Sequence, residues 1–479
     1  MPVRNTYVIV AVMIVSVACY LKADRMKHAG PVGDAISMID RYYVDPVDHR
    51  ALVDGAMQGV VSQLDPYSQF IDPSSYGHFQ DALQQRFAGI GIIVEQPDKE
   101  DRVRVVTPLF ATPAFKAGLR PGDRIMEVDG TTTEGLEIGK VSDLLRGPEG
   151  TVVSILVQRG DQTLQVEVQR AWIPLESVLG DYRDSDNNWV FRLREEPRIA
   201  YIRVTTFAEQ TVDEITAALE QLDNDFDSLI IDLRQNQGGL LSAAVDIADM
   251  FLEDEVIVTT RGRGGKLEAE FSATSGVLVD DDKPLVIMID GDSASASEIV
   301  AASLKDHRRA TVIGERSFGK GTVQNVLPLE SGRSALKLTT ARYYRPNGEN
   351  IHRLEGSTDE EAWGVRPNEG FEVKLSDDQR MAAMKRLQSA AYPIMPETAV
   401  VVTKDALPVD VTSPATTETD STEASKPAAA AETPPSDADS EEAIEKVSAD
   451  PRALDQDPQL IKAVEFLKQA NGRTQKLAA

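Results

Sequence analysis

The chain has 479 residues, 42% of them hydrophobic, and a formal net charge of -27 at pH 7. That length exceeds the roughly 250–300 residues a single core supports, so several domains are expected, and the acidic balance argues against nucleic-acid binding, which needs clustered Lys and Arg. The single cysteine, Cys19, sits in an N-terminal apolar run, which excludes disulfides, zinc knuckles and a cysteine nucleophile from the folded body, and five histidines give no clustered metal site.

Arg4 precedes an uncharged, mostly apolar run from Thr6 to Leu21, and Lys22 and Arg25 follow it. The run is somewhat short of the roughly 20 residues a spanning helix needs. It fits a signal-peptide core or a short uncleaved anchor, with the anchor favoured. Ser-Val-Ala-Cys before Tyr20 has only a faint likeness to a lipoprotein cleavage site. Residues 1–30 are therefore expected to be a signal or anchor segment. Either way the body would lie outside the cytoplasm, on the periplasmic side of an inner membrane, tethered or secreted.

Residues 31–86 read as helical. Ile36, Ile39 and Tyr43 recur at helical spacing, and so do Leu52, Met57 and Val60. Two Asp-Pro pairs, at Asp65 and Asp72, then end helices and begin turns. Residues 87–172 change to short strands. Val153, Ile155 and Val157, then Leu164, Val166 and Val168, alternate with period two around a Gly160-Asp161 turn.

Residues 173–396 alternate strand and helix. Thr211 and Glu214 have the spacing of a capping box, with Ile215, Ala218, Leu219 and Leu222 on one helical face. "SLIIDLR" and "PLVIMID" are continuous apolar runs suited to strands covered on both faces. Repeated strand–helix units predict an α/β fold with a largely parallel sheet. Residues 397–448 are rich in Pro, Thr, Ser, Ala and Glu and are expected to be disordered. In 449–479, Leu460, Ala463, Val464 and Leu467 predict a helix that docks back on the body.

The segment from Ile289 to Val326 carries the chemistry. A strand ends near Gly291-Asp292 and a helix begins near Ser295, and sites gather at the carboxyl ends of strands in open α/β sheets. A hydroxyl there sits beside N–H groups that favour developing negative charge. Ser295-x-x-Glu298 also reads as a capping box, which by itself needs no catalytic role. Lys320, between Gly319 and Gly321, reads in isolation as a loop lysine. Gly314, Gly319 and Lys320 match a Gly-x4-Gly-Lys phosphate loop, but Gly321 replaces the magnesium-binding Ser or Thr and a strand-like run follows. His307, twelve residues past Ser295, reads as exposed and not catalytic.

Taken together, "DLRQNQGGLLSAAVDIADMFL", "GDSASASEIV" and "SFGKGTVQ" resemble the carboxyl-terminal processing peptidases, or tail-specific proteases. The resemblance extends over residues 32–375 and the terminal helix. It implies a crotonase-like α/β catalytic core with an inserted PDZ-like β-rich domain, to which periodicity and composition add an N-terminal helical segment and a disordered acidic C-terminal tail. It also implies a Ser–Lys endopeptidase, with Ser295 as nucleophile, Lys320 as general base and Gln324 orienting the lysine. Backbone N–H groups of Ala296 and of the Gly238-Gly239 turn would form the oxyanion hole. Gly89, Ile90, Gly91 and Ile92 would form a carboxylate-binding loop, and Arg146 would couple peptide binding to cleavage. Gln237 and Asp292 depart from the family's usual Pro and Gly, and "RLEGSTDEEAWGVRPNEG" runs longer than usual.

A free lysine has a pKa near 10.4, so on the order of one in a thousand is neutral at pH 7. Lowering that by about 3 units means disfavouring the charged form by about 4 kcal/mol through desolvation, for which Phe318, Gly319 and Gly321 are suitable neighbours. No metal, nucleotide or other cofactor is expected. The partners implied are proteins or peptides with an exposed, apolar C-terminus, and the membrane through the N-terminal segment; self-association is left open. Two alternatives remain: a catalytically silent PDZ-type scaffold that binds C-termini, and an acyl-CoA enzyme on the same core. The second gives the Ser–Lys pair and the peptide-binding insert no task.

Overall fold

The computed structural model describes residues 30–83, 86–98, 101–395 and 453–478, with a few positions of the N-terminal run. Most of the Thr6–Leu21 run and the whole 397–448 tail lie outside the described residues. Among the described residues, no helix is long and apolar enough to cross a membrane. The chain divides into two compact units, one of Met1–Leu83, Thr259–Glu270 and Gly321–Tyr344, the other of Gln84–Val258, Phe271–Lys320 and Arg345–Ala479.

In the first unit, helices span residues 30–42 and His49–Val61. Their apolar stripes are largely uncovered: Ile39, Tyr43 and Val60 are exposed, whereas Val61 is buried. The first Asp-Pro pair makes a turn as expected, with the Asp65 carboxylate accepting the Tyr67 and Ser68 N–H groups at 2.8 and 2.9 Å. The strand Gln69–Ile71 then pairs antiparallel with Ser334–Tyr344, which also pairs with Thr322–Leu329.

The second unit holds the β-rich insert and the α/β core. Strands Arg86–Gly89 and Ala171–Pro174 pair antiparallel, Phe87 opposite Ile173, so the insert begins and ends side by side. Within it, Val152–Arg159 and Gln162–Gln169 form the hairpin read from the sequence, turning at Gly160-Asp161. The inward set Val153, Ile155, Val157, Val166 and Val168 packs with Ile125, Val128, Val141 and Leu145 into one core.

The core sheet runs Val178–Leu179, Ile199–Val204, Ser228–Asp232, Leu285–Ile289, Thr311–Gly314, and the last four strands are parallel. Every residue of Ser228–Asp232 and Leu285–Ile289 is buried, as strands covered on both faces require. The C-terminal helix, Pro458–Ala478, covers one face. Its Leu460, Ala463, Val464 and Leu467 pack on Tyr201, Ile230, Val286, Met288 and Ile313.

The helix Thr211–Leu222 buries the face expected of it, but the capping box is not formed. Gln210 is the N-cap, and the Glu214 carboxylate instead accepts from Ser177 N, Ser177 Oγ and Val178 N at 2.8, 2.6 and 3.0 Å. The buried N–H groups of Ser177 and Val178 claim that carboxylate, while Thr211, fully buried, accepts from Ala208 N at 2.8 Å.

Leu467 is fully buried against the sheet. Leu467→Ala is expected to destabilise the second unit by about 2–5 kcal/mol. Denaturant unfolding checks this, and an unchanged midpoint would contradict the packing described.

Candidate active site

The parallel strand Leu285–Ile289 ends in a turn organised by one carboxylate. Asp290 Oδ1 accepts the N–H groups of Gln235, Asp292 and Ser293 at 3.0, 3.0 and 3.1 Å. Burial pushes the Asp290 pKa up, against the pull of the Gln235 N–H. Ser295 follows at φ 56° and ψ -112°, and the helix Ala296–Asp306 begins at the next residue. Such a conformation costs a non-glycine residue about 1–3 kcal/mol and persists where surrounding contacts over-determine it. Ser295 is 7% exposed, and it stands at the start of a helix whose first N–H groups have no partner within the helix.

The preceding parallel strand, Ser228–Asp232, supplies the facing loop. Asn236, fully buried, spans it: its Nδ2 donates to Val204 O and its Oδ1 accepts from Gly238 N, both at 2.8 Å. Asn236 O in turn accepts from Ala294 N at 3.0 Å and Ser297 Oγ at 2.8 Å. These bonds press Gly238 against the serine turn. A Cβ on Gly238 would lie 2.8 Å from Ser295 Cβ and 3.0 Å from Ala296 N, and φ there is +98°. Only glycine fits.

This refines the expected oxyanion set. The Gly238 N–H is already engaged by Asn236, so Gly238 contributes its missing side chain. Among the described residues, the N–H groups of Gly239 and Ala296 have no internal acceptor. Gln237 is exposed, so the turn does not depend on a proline there.

Lys320 is tied to the same turn through Glu298, which is fully buried. One carboxylate oxygen, Oε2, accepts from Ser295 N and from Lys320 N, each at 2.8 Å. Those two backbone nitrogens therefore lie no further apart than twice 2.8 Å. The other oxygen, Oε1, accepts from Ser317 Oγ at 2.6 Å and Gly319 N at 2.7 Å. Burial pushes the Glu298 pKa up, opposed by the Ser317 hydroxyl and the three N–H groups. Phe318 N also donates to Ser293 O at 3.0 Å.

The long segment after Tyr344 clamps the lysine loop from behind. Arg353 N donates to Gly319 O at 2.8 Å, Ser317 N to Val365 O at 3.0 Å, and Val365 N to Ser317 Oγ at 2.6 Å. The Arg316 guanidinium lies 3.3 Å from the Trp363 ring centroid and donates to the Trp363 carbonyl. A Cβ on Gly319 would lie 2.7 Å from Arg353 Cβ, so this close approach also needs glycine. Lys320 is half-buried. Phe318, expected to keep water from the amine, is 45% exposed; Ser317 and Gly319 are its buried neighbours instead.

Gln324 belongs to the other unit. Its Nε2 donates to Thr322 Oγ1 and Thr339 Oγ1 at 2.8 and 3.3 Å, and Thr339 Oγ1 donates to Asp65 Oδ1 at 3.2 Å. His307, expected to be exposed, is half-buried and hydrogen-bonds the Val256 carbonyl at 2.8 Å. Among the described residues, no group of His, Cys, Asp and Glu is arranged to hold a metal ion.

In the insert, Ile90 is 2% exposed and belongs to the core, so only its backbone can face a ligand. Gly91 O accepts from Leu109 N at 2.9 Å and Thr112 Oγ1 at 3.0 Å, which fixes the loop. The strand Ile92–Glu95 that follows is the edge of its sheet. Gly89 ends the paired entry strand. Arg146 is half-exposed, and its ion pair is with Asp143 at 3.6 Å.

Sequence reasoning took Glu298 only as a helix cap and passed over Asn236. The one available signal was a carboxylate at the third position of a helix otherwise built of small and apolar residues. A cap explains one hydrogen bond, and the structure gives this carboxylate four.

Comparison with known proteins identifies the family. The profile of Peptidase family S41 matches residues 198–368, a PDZ domain profile matches 106–159, and the profile "Activating protease CtpB N-terminal domain" matches 19–75. The carboxy-terminal-processing protease of Bartonella bacilliformis is 35% identical over 389 residues, covering 79% of this chain and 86% of that protein. The carboxy-terminal processing protease CtpB of Bacillus subtilis is 34% identical, covering 69% of this chain and 67% of that one. Among solved structures, a photosystem II D1 C-terminal processing protease aligns with a TM-score of 0.42 and 28% identity, covering 72% of this chain and 92% of that one. With a PDZ domain inserted ahead of an S41 peptidase domain, and a relative matched over most of its own length, the chain belongs to the carboxyl-terminal processing peptidases, a family of serine endopeptidases.

Proposed function

We propose that Ser295 and Lys320 are the catalytic dyad, on a crotonase-like core whose site lies at the carboxyl ends of its parallel strands. The observation that carries this reading is the Glu298 Oε2 atom shared by the backbone N–H groups of both residues. The neutral Lys320 amine takes the Ser295 hydroxyl proton as Oγ attacks the scissile carbonyl. Charge on the resulting oxyanion is met by the N–H groups of Gly239 and Ala296. The lysine then returns its proton to the departing amine, leaving an acyl-serine. Water, deprotonated by the same amine, hydrolyses the ester and frees the enzyme.

The substrates are protein chains read at their C-terminus. The insert's edge strand Ile92–Glu95 and its fixed Gly91 loop support addition of an extended tail, with its carboxylate on backbone N–H groups. Arg146 would join peptide binding to cleavage only by leaving its place beside Asp143. The Thr6–Leu21 run supports action on the outer side of a cytoplasmic membrane.

Ser295→Ala and Lys320→Ala should each lower cleavage of an unfolded protein such as casein by about a thousandfold or more while leaving the folded chain intact. Parental rates from either variant would overturn the dyad. Glu298→Gln replaces one carboxylate oxygen with a donor, so two groups now bonded to that oxygen lose their acceptor. A loss of about 2–6 kcal/mol in stability or transition-state binding is expected, read from melting and from kcat/KM. A silent Glu298→Gln would mean the shared carboxylate does not organise the site. The Ser295→Ala chain should bind a peptide with a free apolar C-terminus about ten- to a hundredfold more tightly than its C-terminal amide. Equal titration curves would remove the tail-reading role from the insert.

A further inference from the structure

The loop that presents Gly238 and Gly239 is not held by the peptidase core alone. Arg234, four residues before Gly238, is 3% exposed. On one side its guanidinium meets Asp232, with Nε to Oδ1 at 2.9 Å and Nη2 to Oδ2 at 2.6 Å. On the other it meets a residue from the far end of the chain. Nη1 donates to Asp457 Oδ1 at 2.9 Å, and Nη2 donates to Asp457 Oδ2 at 2.8 Å. Nη1 also donates to Gln459 Oε1 at 3.1 Å.

Asp457 and Gln459 are 0% and 1% exposed. Asp457 Oδ1 also accepts the Leu460 N–H at 3.1 Å, near the start of the C-terminal helix. Gln459 Nε2 donates to Val373 O at 2.9 Å. Every donor of the guanidinium is thus met, and both bonds of Nη1 and one of Nη2 come from a segment lying past residues 396–452.

This burial is larger than docking a helix requires. Leu460, Ala463, Val464 and Leu467 already attach the helix to the sheet. A buried ion pair adds little net stability over an apolar contact of the same shape, but it fixes geometry. A bidentate guanidinium–carboxylate pair sets both distance and plane. Here it sets the chain between Asp232 and Asn236, the stretch that also carries Gln235 at φ +61°.

We propose that Asp457 is a positioning residue for catalysis. Through Arg234 it sets the 233–239 loop so that the Gly239 N–H faces the carbonyl attacked by Ser295, which makes residues 453–478 a working part of the catalytic centre. The inference rests on the assignment of Ser295 as nucleophile and of Gly239 and Ala296 as oxyanion donors.

The test uses the full chain. A fluorophosphonate, which bonds an activated serine and releases fluoride, counts competent sites, and kcat is expressed per titrated site. In Asp457→Asn, kcat per site is expected to fall about ten- to a hundredfold, as a displaced catalytic group costs, while KM stays within about twofold. A peptide boronic acid, which mimics the tetrahedral species, should lose affinity in step with kcat, and Asp457→Glu should recover part of both. A purely structural role would lower the melting temperature and the number of titrated sites but leave kcat per site at the parental value, and that result overturns the inference. Should Asp457→Asn not accumulate as folded protein, Gln459→Leu withdraws the amide oxygen from Arg234, together with the amide's bond to Val373 O, and leaves both carboxylates in place. It is expected to lower kcat per site about two- to fivefold, and parental kcat per site from it likewise overturns the proposal. If the probe labels Ser295→Ala as well as the parent, the nucleophile assignment itself fails, an outcome separate from either result above.

Discussion

A single buried carboxylate holds the serine turn and the lysine loop together. Glu298 offers two oxygens and no donor, so it can accept four hydrogen bonds at once, from Ser295, Ser317, Gly319 and Lys320. An amide in the same place would turn one oxygen into a competing donor. Burial disfavours the charge and pushes the Glu298 pKa up. The four donors and the N-terminal end of its own helix offset that cost. Ser295 can then be held in a conformation that an isolated serine avoids, because its neighbours leave it no alternative.

The rest of the site follows from strand ends. Asp232 and Asp290 stand at the carboxyl ends of adjacent parallel strands, and each organises the loop that leaves its strand. Asp290 gathers three N–H groups ahead of Ser295, and Asp232 anchors Arg234 ahead of Gly238. Asn236 then joins the two loops directly. Rigid strands, not the loops themselves, thus set the spacing of Ser295 and Gly239, a spacing that chemistry of the proposed kind needs fixed to within an ångström.

Much of this was legible in the sequence because it depends on local pattern. Period-two alternation around Gly160-Asp161 gave the insert's hairpin. The continuous apolar runs at Ser228–Asp232 and Leu285–Ile289 gave the buried parallel strands. The spaced Leu460, Ala463, Val464 and Leu467 gave a docked terminal helix. What escaped were pairings between distant polar residues. Thr211 and Glu214 have capping-box spacing, yet Glu214 turns to Ser177, because the buried N–H groups of Ser177 and Val178 need its carboxylate. Arg234 and Asp457 are 223 positions apart, and no local periodicity joins them. The direction of the Ile90 side chain was also hidden: it fills the insert's core, which leaves the backbone of the expected carboxylate-binding loop to face a ligand.

The paired strands at the insert's ends have a wider consequence. With Phe87 directly opposite Ile173, a chain could pass from one to the other through a short turn, and the host domain would keep its own hydrogen-bond ladders. The PDZ insert is therefore spliced in at a point where its length and sequence make little demand on the domain beside it. The insert can diverge by swapping or reshaping while the loops of the peptidase core and their shared carboxylate stay as they are, so one peptidase body can carry many kinds of insert.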